Sequence, residues 1–211
     1  NYETKILSDR RVESVTRDEA IRTRTFWTLA SVTICSSLFG TGLIFHQSNI
    51  LGEIGYSNSE AAAMFLPAAA GSILGGLGFG WLTDRPIRPW LPAASGFLIA
   101  LTTFLGGSVT SLGGVISYVL LFGVAMGGVA SMNTALLPAL FGVGHIGSIT
   151  GSLSFLSVLA SSIGGLAYSL GSNIFGDYRS TSVAFTIVPL LVAGTALINR
   201  RHFLTRESLR G

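Results

Sequence analysis

The chain has 211 residues, 49% of them hydrophobic and only 11% charged, with a mean hydropathy of +0.61. Soluble domains carry about 25% charged residues, whereas here six apolar stretches, each near the ~20 residues that cross a ~30 Å hydrocarbon layer, nearly exhaust the chain and exclude a soluble catalytic domain. The net charge of +3 does not point to nucleic acid, because the basic residues sit at the edges of those stretches, and the lone Cys35 inside one of them excludes an intrachain disulfide or a cysteine metal cluster.

Residues 1–24 form a polar, mixed-charge segment. Thr16-Arg-Asp-Glu19 has the spacing of a capping box, which predicts a short helix running toward the membrane. The chain opens on Asn1 with no charged leader and cleavage site after it, so it is expected to be cut from something longer, or to begin at a loop joining two halves. Six spans are predicted over residues 26–50, 60–82, 90–109, 112–137, 148–174 and 182–198, within a bundle covering 25–200 and followed by a tail at 201–211. The short loops between them favour antiparallel neighbours. No metal site or cofactor is expected.

Charge sorting fixes the expected orientation. Lys5, Arg10, Arg11, Arg17, Arg22 and Arg24 precede the first span, Arg85 and Arg88 lie between the second and third, and Arg200, Arg201, Arg206 and Arg210 follow the sixth. The opposite side holds only Arg179, beside Glu53, Glu60 and Asp177. Lys and Arg accumulate on the cytoplasmic side of short flanks, so both termini are expected in the cytoplasm, with the chain in a plasma (inner) membrane.

Small residues mark where helices meet. Gly71 and Gly75, Gly76 and Gly80, Gly123 and Gly127, and Gly147 and Gly151 are each four apart. Lipid offers little hydrophobic drive between helices, so residues that let backbones approach become packing sites. The second span ends Ser72-Ile-Leu-Gly-Gly-Leu and then Asp84-Arg85, and the fifth carries Ser162-Ile-Gly-Gly-Leu and then Asp177-Tyr-Arg179. With one exit on each side of the membrane, this echo predicts two inverted three-helix repeats.

Polar groups inside spans are costly unless they face a bundle interior or a wet cavity. His46, Gln47 and Asn49, near the outer end of the first span, and Asn133, with Ser131 and Thr134 in the fourth, are therefore candidates for a solute path. His46 is also the candidate carrier of a coupling proton. Ser154, Ser157, Ser161 and Ser162 read as packing residues, and His145 as a residue of a glycine-rich loop.

Gly80-Trp-Leu-Thr-Asp84-Arg85-Pro-Ile-Arg88 resembles the loop signature G-x-x-x-D-R-x-G-R-R of the major facilitator superfamily, with Gly80, Asp84, Arg85 and Arg88 matching, Ile87 in place of the second glycine and Pro89 in place of the last basic residue. The copy resembles the one between helices eight and nine, and the order of basic linker, His-Gln helix, Asp-Arg loop and four further helices fits the carboxy-terminal half of a facilitator. The resemblance implies a secondary transporter moving a small solute by alternating access. Asp84 then acts as a conformational latch, holding helix N-terminal N–H groups with its carboxylate. The first span corresponds to a helix commonly broken near its polar residues, and Gly40 and Gly42 are the expected hinge. The partners implied are the lipid bilayer, a small-molecule substrate, a coupling proton, and a missing six-helix half or a second copy.

The wording of the first span and of the fourth-to-fifth loop is similar to that of the oxalate/formate–monocarboxylate branch, implying a small organic acid or other metabolite. Yet no Asp, Glu, Lys or Arg lies deep in a span to balance an anion. Two other readings have sequence support. A self-standing six-helix protein, or a remnant that no longer transports, has the same spans. An intramembrane serine protease would use Ser95 in Ala94-Ser95-Gly96, but needs a histidine base beside it.

Overall fold

The computed structural model describes residues 14–84 and 89–207. Every regular element among them is a helix: α1 (Arg17–Ile21), α2 (Arg24–Gly52), α3 (Asn58–Ala63), α4 (Phe65–Thr83), α5 (Leu91–Ser108), α6 (Leu112–Phe141), α7 (Ile146–Phe175), α8 (Tyr178–Phe185) and α9 (Ile187–Glu207). Six spans among the described residues are long and apolar enough to cross a membrane: α2, α3 with α4, α5, α6, α7, and α8 with α9. The chain is an all-α, multi-pass membrane protein.

Local sequence sets the helix ends. Thr16 and Glu19 form the expected capping box on α1, and Ser57 and Glu60 form a second one that opens α3. Thr23, Ser111 and Asp177 each accept a backbone N–H at the starts of α2, α6 and α8. These side chains satisfy N–H groups that helix geometry leaves without partners. Gly176 follows α7 in the left-handed region, at φ +94°, where a Cβ would be strained.

The second and sixth spans, predicted as continuous, are each broken once. Their first pieces end at Ala63 and Phe185, four residues before Pro67 and Pro189. A proline ring collides with the carbonyl four residues earlier and offers it no N–H, so the helix stops there and resumes after one turn residue, Met64 or Thr186. Pro138 lies inside α6 without ending it, and that helix runs on to Phe141, past the expected end at 137.

The spans pack in non-adjacent pairs. The second lies along the fourth, the first along the fifth, and the third along the sixth. A Cβ on Gly71 would run into the carbonyl of Leu120, one on Gly75 into that of Val124, and ones on Gly123 and Gly127 into those of Ala68 and Ser72. Contacts that advance together by four residues identify parallel helices. The first and fifth spans are parallel too: Ser37 pairs with Ser157, Thr41 with Ser161 and His46 with Gly165, at chain separations of 120, 120 and 119 residues. Exchanging span one with four, two with five and three with six turns the first–fifth pair into the second–fourth and leaves the third–sixth pair unchanged. The pairing therefore has the symmetry of two inverted three-span repeats.

The glycine echo has the same symmetry. A Cβ on Gly164 of the fifth span would strike the carbonyl of Leu38 in the first span, as one on Gly75 of the second would strike Val124 in the fourth. Gly76 approaches its partner less closely, at 4.0 Å from the Gly127 carbonyl, and Gly147 and Gly151 face open space. Nor do Gly40 and Gly42 break α2, which runs unbroken through both. They instead make room for Met126 and the Tyr168 ring.

Phe26, Leu29, Phe39, Leu43, Tyr118, Met132 and Tyr168 form the centre of the core. Leu66, Ile73, Leu74 and Leu77 on α4, and Phe155, Val158, Leu166 and Ile174 on α7, project outward. Apolar faces of this extent are unsuited to water and matched to hydrocarbon.

Candidate functional site

Thr33 of α2, Asn133, Thr134, Leu137 and Pro138 of α6, and Ile146, Thr150, Leu153, Ser154, Ser157 and Val158 of α7 enclose a cleft of about 570 Å³. Its lining contains amide and hydroxyl groups on an apolar frame, with no charged side chain among the described residues. The last turns of α6 and the first of α7 place it toward the end of the bundle that carries α1, the basic face. Asn133 Nδ2 donates to Thr33 Oγ1 at 2.8 Å, and Thr33 in turn donates to the Leu29 carbonyl at 2.8 Å. Asn133 Oδ1 is buried and has no hydrogen-bond partner among the described residues.

The other polar candidates lie elsewhere, toward the opposite face. His46 Nε2 donates to the Gly165 carbonyl at 3.0 Å, and its Nδ1 lies 3.3 Å from the Asn49 side-chain amide. Since a carbonyl only accepts, Nε2 carries a proton, and both ring nitrogens are engaged. The ring stacks on Tyr178 with centroids 4.6 Å apart. Gln47 is 3% exposed and donates to the Ala61 carbonyl at 3.1 Å. None of these three residues lines the Asn133 cleft.

A further tie at the same face was not legible from spacing. The Glu53 carboxylate, just past α2, accepts the backbone N–H groups of Tyr178 and Arg179 at 2.8 and 3.1 Å. It thus sits on the N-terminus of α8, where the helix dipole favours negative charge. Arg179 extends to the Val109 carbonyl at the end of α5, 3.1 Å away. Asp177 accepts from Ser180 N–H and hydroxyl groups, which hold its carboxyl below the usual carboxylate range. Glu53 and Arg179 were read only as loop charges in the sequence, because 125 residues separate Glu53 from the helix it caps.

At the basic face Asp84 is exposed and ends α4, its backbone N–H bonded to the Gly80 carbonyl at 3.0 Å. Gly80 faces Ser131 of α6, 3.4 Å from where a Cβ would stand. Arg85 and Arg88 lie outside the described residues. The N-terminal segment is drawn against the same face: Val15 N–H donates to the Phe141 carbonyl at 3.0 Å, and Arg17 Nε to Ser152 Oγ at 2.7 Å. Ser95, the protease candidate, is fully buried and donates to the Leu91 carbonyl of its own helix, with Met132 Sδ beside it.

No curated protein matches the chain. The model of one family, the Major Facilitator Superfamily, matches residues 4–165, a stretch that takes in the first four spans, the Asp84 loop and the Asn133 cleft. With more than half of its length matched, and with helices paired as an inverted repeat, the chain belongs to the Major Facilitator Superfamily of membrane transporters.

Proposed function

We propose that this chain is the carboxy-terminal half of a secondary active transporter that moves a small metabolite by alternating access, rocking against six further helices or a second copy of itself. The observation that carries this reading is the uncharged polar cleft between α2, α6 and α7. It lies where two repeats meet, as expected of a solute site built at a repeat interface. Asn133 is the proposed solute contact, and His46, Gln47 and Asn49 line the outer end of the path. His46 is the proposed carrier of a coupling proton.

Gly80, Asp84, Arg85 and Arg88 form the proposed latch on the basic face, which is cytoplasmic, with both termini, in an inner or plasma membrane. A small organic acid of the oxalate/formate–monocarboxylate kind is the solute class that the sequence resemblance suggests. The test uses single-cysteine variants of the intact protein in cells. Cysteines at Ser57 and Asp177 should react with an impermeant reagent from outside, and ones at Arg88 and Arg206 should not. Labelling of a cysteine at Thr150 should change when transported solute is added. External labelling of Arg88→Cys would overturn the orientation, and a Thr150→Cys reactivity indifferent to every transported solute would overturn the site.

A further inference from the structure

We propose that the groove between α1, the start of α2 and the first turns of α7 binds the headgroup phosphate of an anionic phospholipid. The groove holds about 530 Å³ at the basic face, and its lining includes Arg17 and Ile21 of α1, Trp27 of α2, and Ser148, Ser152 and Phe155 of α7. It is separate from the solute path. At about 3.6 residues per turn, Ser148, Ser152 and Phe155 lie on the side of α7 away from Thr150, Ser154 and Ser157, which line the Asn133 cleft. Arg17 is the one charged side chain of the groove lining among the described residues. Hydrogen bonds aim it. Ser152 Oγ donates to the Ser148 carbonyl at 3.0 Å, so its lone pairs are left for Arg17 Nε, which donates to it at 2.7 Å. That bond ties one edge of the guanidinium, while 53% of the side chain stays exposed. Among the described residues Nη1 meets Asp18 at 3.6 Å, an exposed pair and so a weak competitor. A planar guanidinium held in this way matches the oxygens of a phosphate.

The walls suit the rest of a lipid. Trp27 is 49% exposed and donates its indole N–H to the Ile21 carbonyl at 2.8 Å, which holds the ring at the membrane edge, the level tryptophan favours. On its other side Arg22 and Arg24 line a second groove, so positive charge flanks the same level. Away from the groove, Phe155, Leu159, Ile163, Leu166 and Leu170 are exposed at intervals of three and four residues, which puts them on one side of α7. From Phe155 to Leu170 this stripe runs about 22 Å at ~1.5 Å per residue, more than the ~15 Å that half of a ~30 Å hydrocarbon layer spans. An acyl chain can lie along it while the phosphate sits on Arg17. A zwitterionic headgroup would bring an ammonium to the same arginines, so the net-anionic class is favoured.

The test follows Trp27 fluorescence in the intact protein carrying Trp81→Phe and Trp90→Phe, which leaves one tryptophan, reconstituted in phosphatidylcholine vesicles. Phosphatidylglycerol with brominated acyl chains, or phosphatidylcholine brominated in the same way, is introduced at increasing mole fraction, bromine quenching the indole on contact. Half-maximal quenching is expected at an about fivefold lower mole fraction of the phosphatidylglycerol, with the preference shrinking at high salt. Arg17→Gln should abolish the preference. Asp18→Asn is the second variant: it removes a competing carboxylate from an exposed position and should raise the preference with α1 undisturbed. Equal quenching by the two lipids would overturn the proposal. A preference that survives Arg17→Gln, or that Asp18→Asn fails to raise, would overturn the placement of the phosphate on Arg17. Quenching by neither lipid would mean that protein, the missing half or a second copy, covers the groove, and would overturn the proposal as well.

Discussion

Replacing Gly75 by alanine tests the packing that holds the two repeats together. The new Cβ would stand 2.7 Å from the Val124 Cα and 2.8 Å from its carbonyl carbon, with the oxygen nearer still. These are backbone atoms that no rotamer change can move aside. Restoring ordinary contact at 3.4 Å from that oxygen requires the helices to part by more than about 1 Å. A gap of about 0.5–1 Å already forfeits roughly a quarter to a half of each dispersion well along the seam, and overpacking of this kind costs about 1–3 kcal/mol. At roughly 2–4 °C per kcal/mol for a chain of this size, the thermal midpoint in detergent should fall by roughly 2–12 °C. Gly164→Ala should behave alike, because its Cβ meets the Leu38 backbone in the symmetry-related place. The control is Gly151→Ala, where nothing lies within 4 Å. Alanine is preferred to glycine in a helix by about 0.8–1 kcal/mol, so this variant should hold or gain stability. Equal midpoints for Gly75→Ala and Gly151→Ala would refute the argument.

Asp84→Asn keeps the side chain's size and removes its charge; transport in vesicles should drop while membrane abundance stays constant, and normal transport would leave Asp84 a solvated helix end. Glu53→Gln removes the negative charge from the α8 N-terminus and should lower the thermal midpoint by the equivalent of ~1 kcal/mol, with a larger effect at low salt than at high. Asp177 has a depressed carboxyl pKa in the fold, so its stabilisation is complete above the ordinary carboxylate range and is lost as pH falls through the depressed value. Acid titration of the thermal midpoint should therefore flatten in Asp177→Asn, and an unchanged profile would remove Asp177 from the outer tie. His46→Ala should loosen the α2–α7 seam at the Gly165 carbonyl and abolish pH-dependent transport, which a pH series of initial rates reads directly.

Hydropathy was enough to locate all six spans, because each must satisfy its own backbone in lipid and so needs a full apolar length of helix. The two breaks were also present in the sequence, four residues upstream of Pro67 and Pro189, although hydropathy averages over them. Spacing found the Gly71–Gly75 and Gly123–Gly127 seam, but it gave equal weight to Gly147 and Gly151, which meet nothing. A four-residue interval places two glycines on one face of a helix and cannot say whether another helix passes there. Gly164, which has no glycine four residues away, escaped that pattern and was visible only through its place in the Ser-Ile-Gly-Gly-Leu echo. Of the polar candidates, Asn133 lines a cleft, whereas His46 and Gln47 are engaged by Gly165 and Ala61. Partners a hundred residues or more away, such as Thr33 for Asn133 and Gly165 for His46, leave no local trace in composition.

The interleaving of the spans has a consequence for biogenesis. Ser37 meets Ser157 only after 120 further residues have been made. At ~5–20 residues per second, the first span waits roughly 6–24 s in the bilayer with its polar seam uncovered. Neither repeat can finish assembling before the other arrives, since each supplies the other's neighbours. A ribosome stalled after the fourth span would leave the first without its mate. The nascent first span therefore needs shelter from an insertase or a membrane chaperone until the fifth emerges.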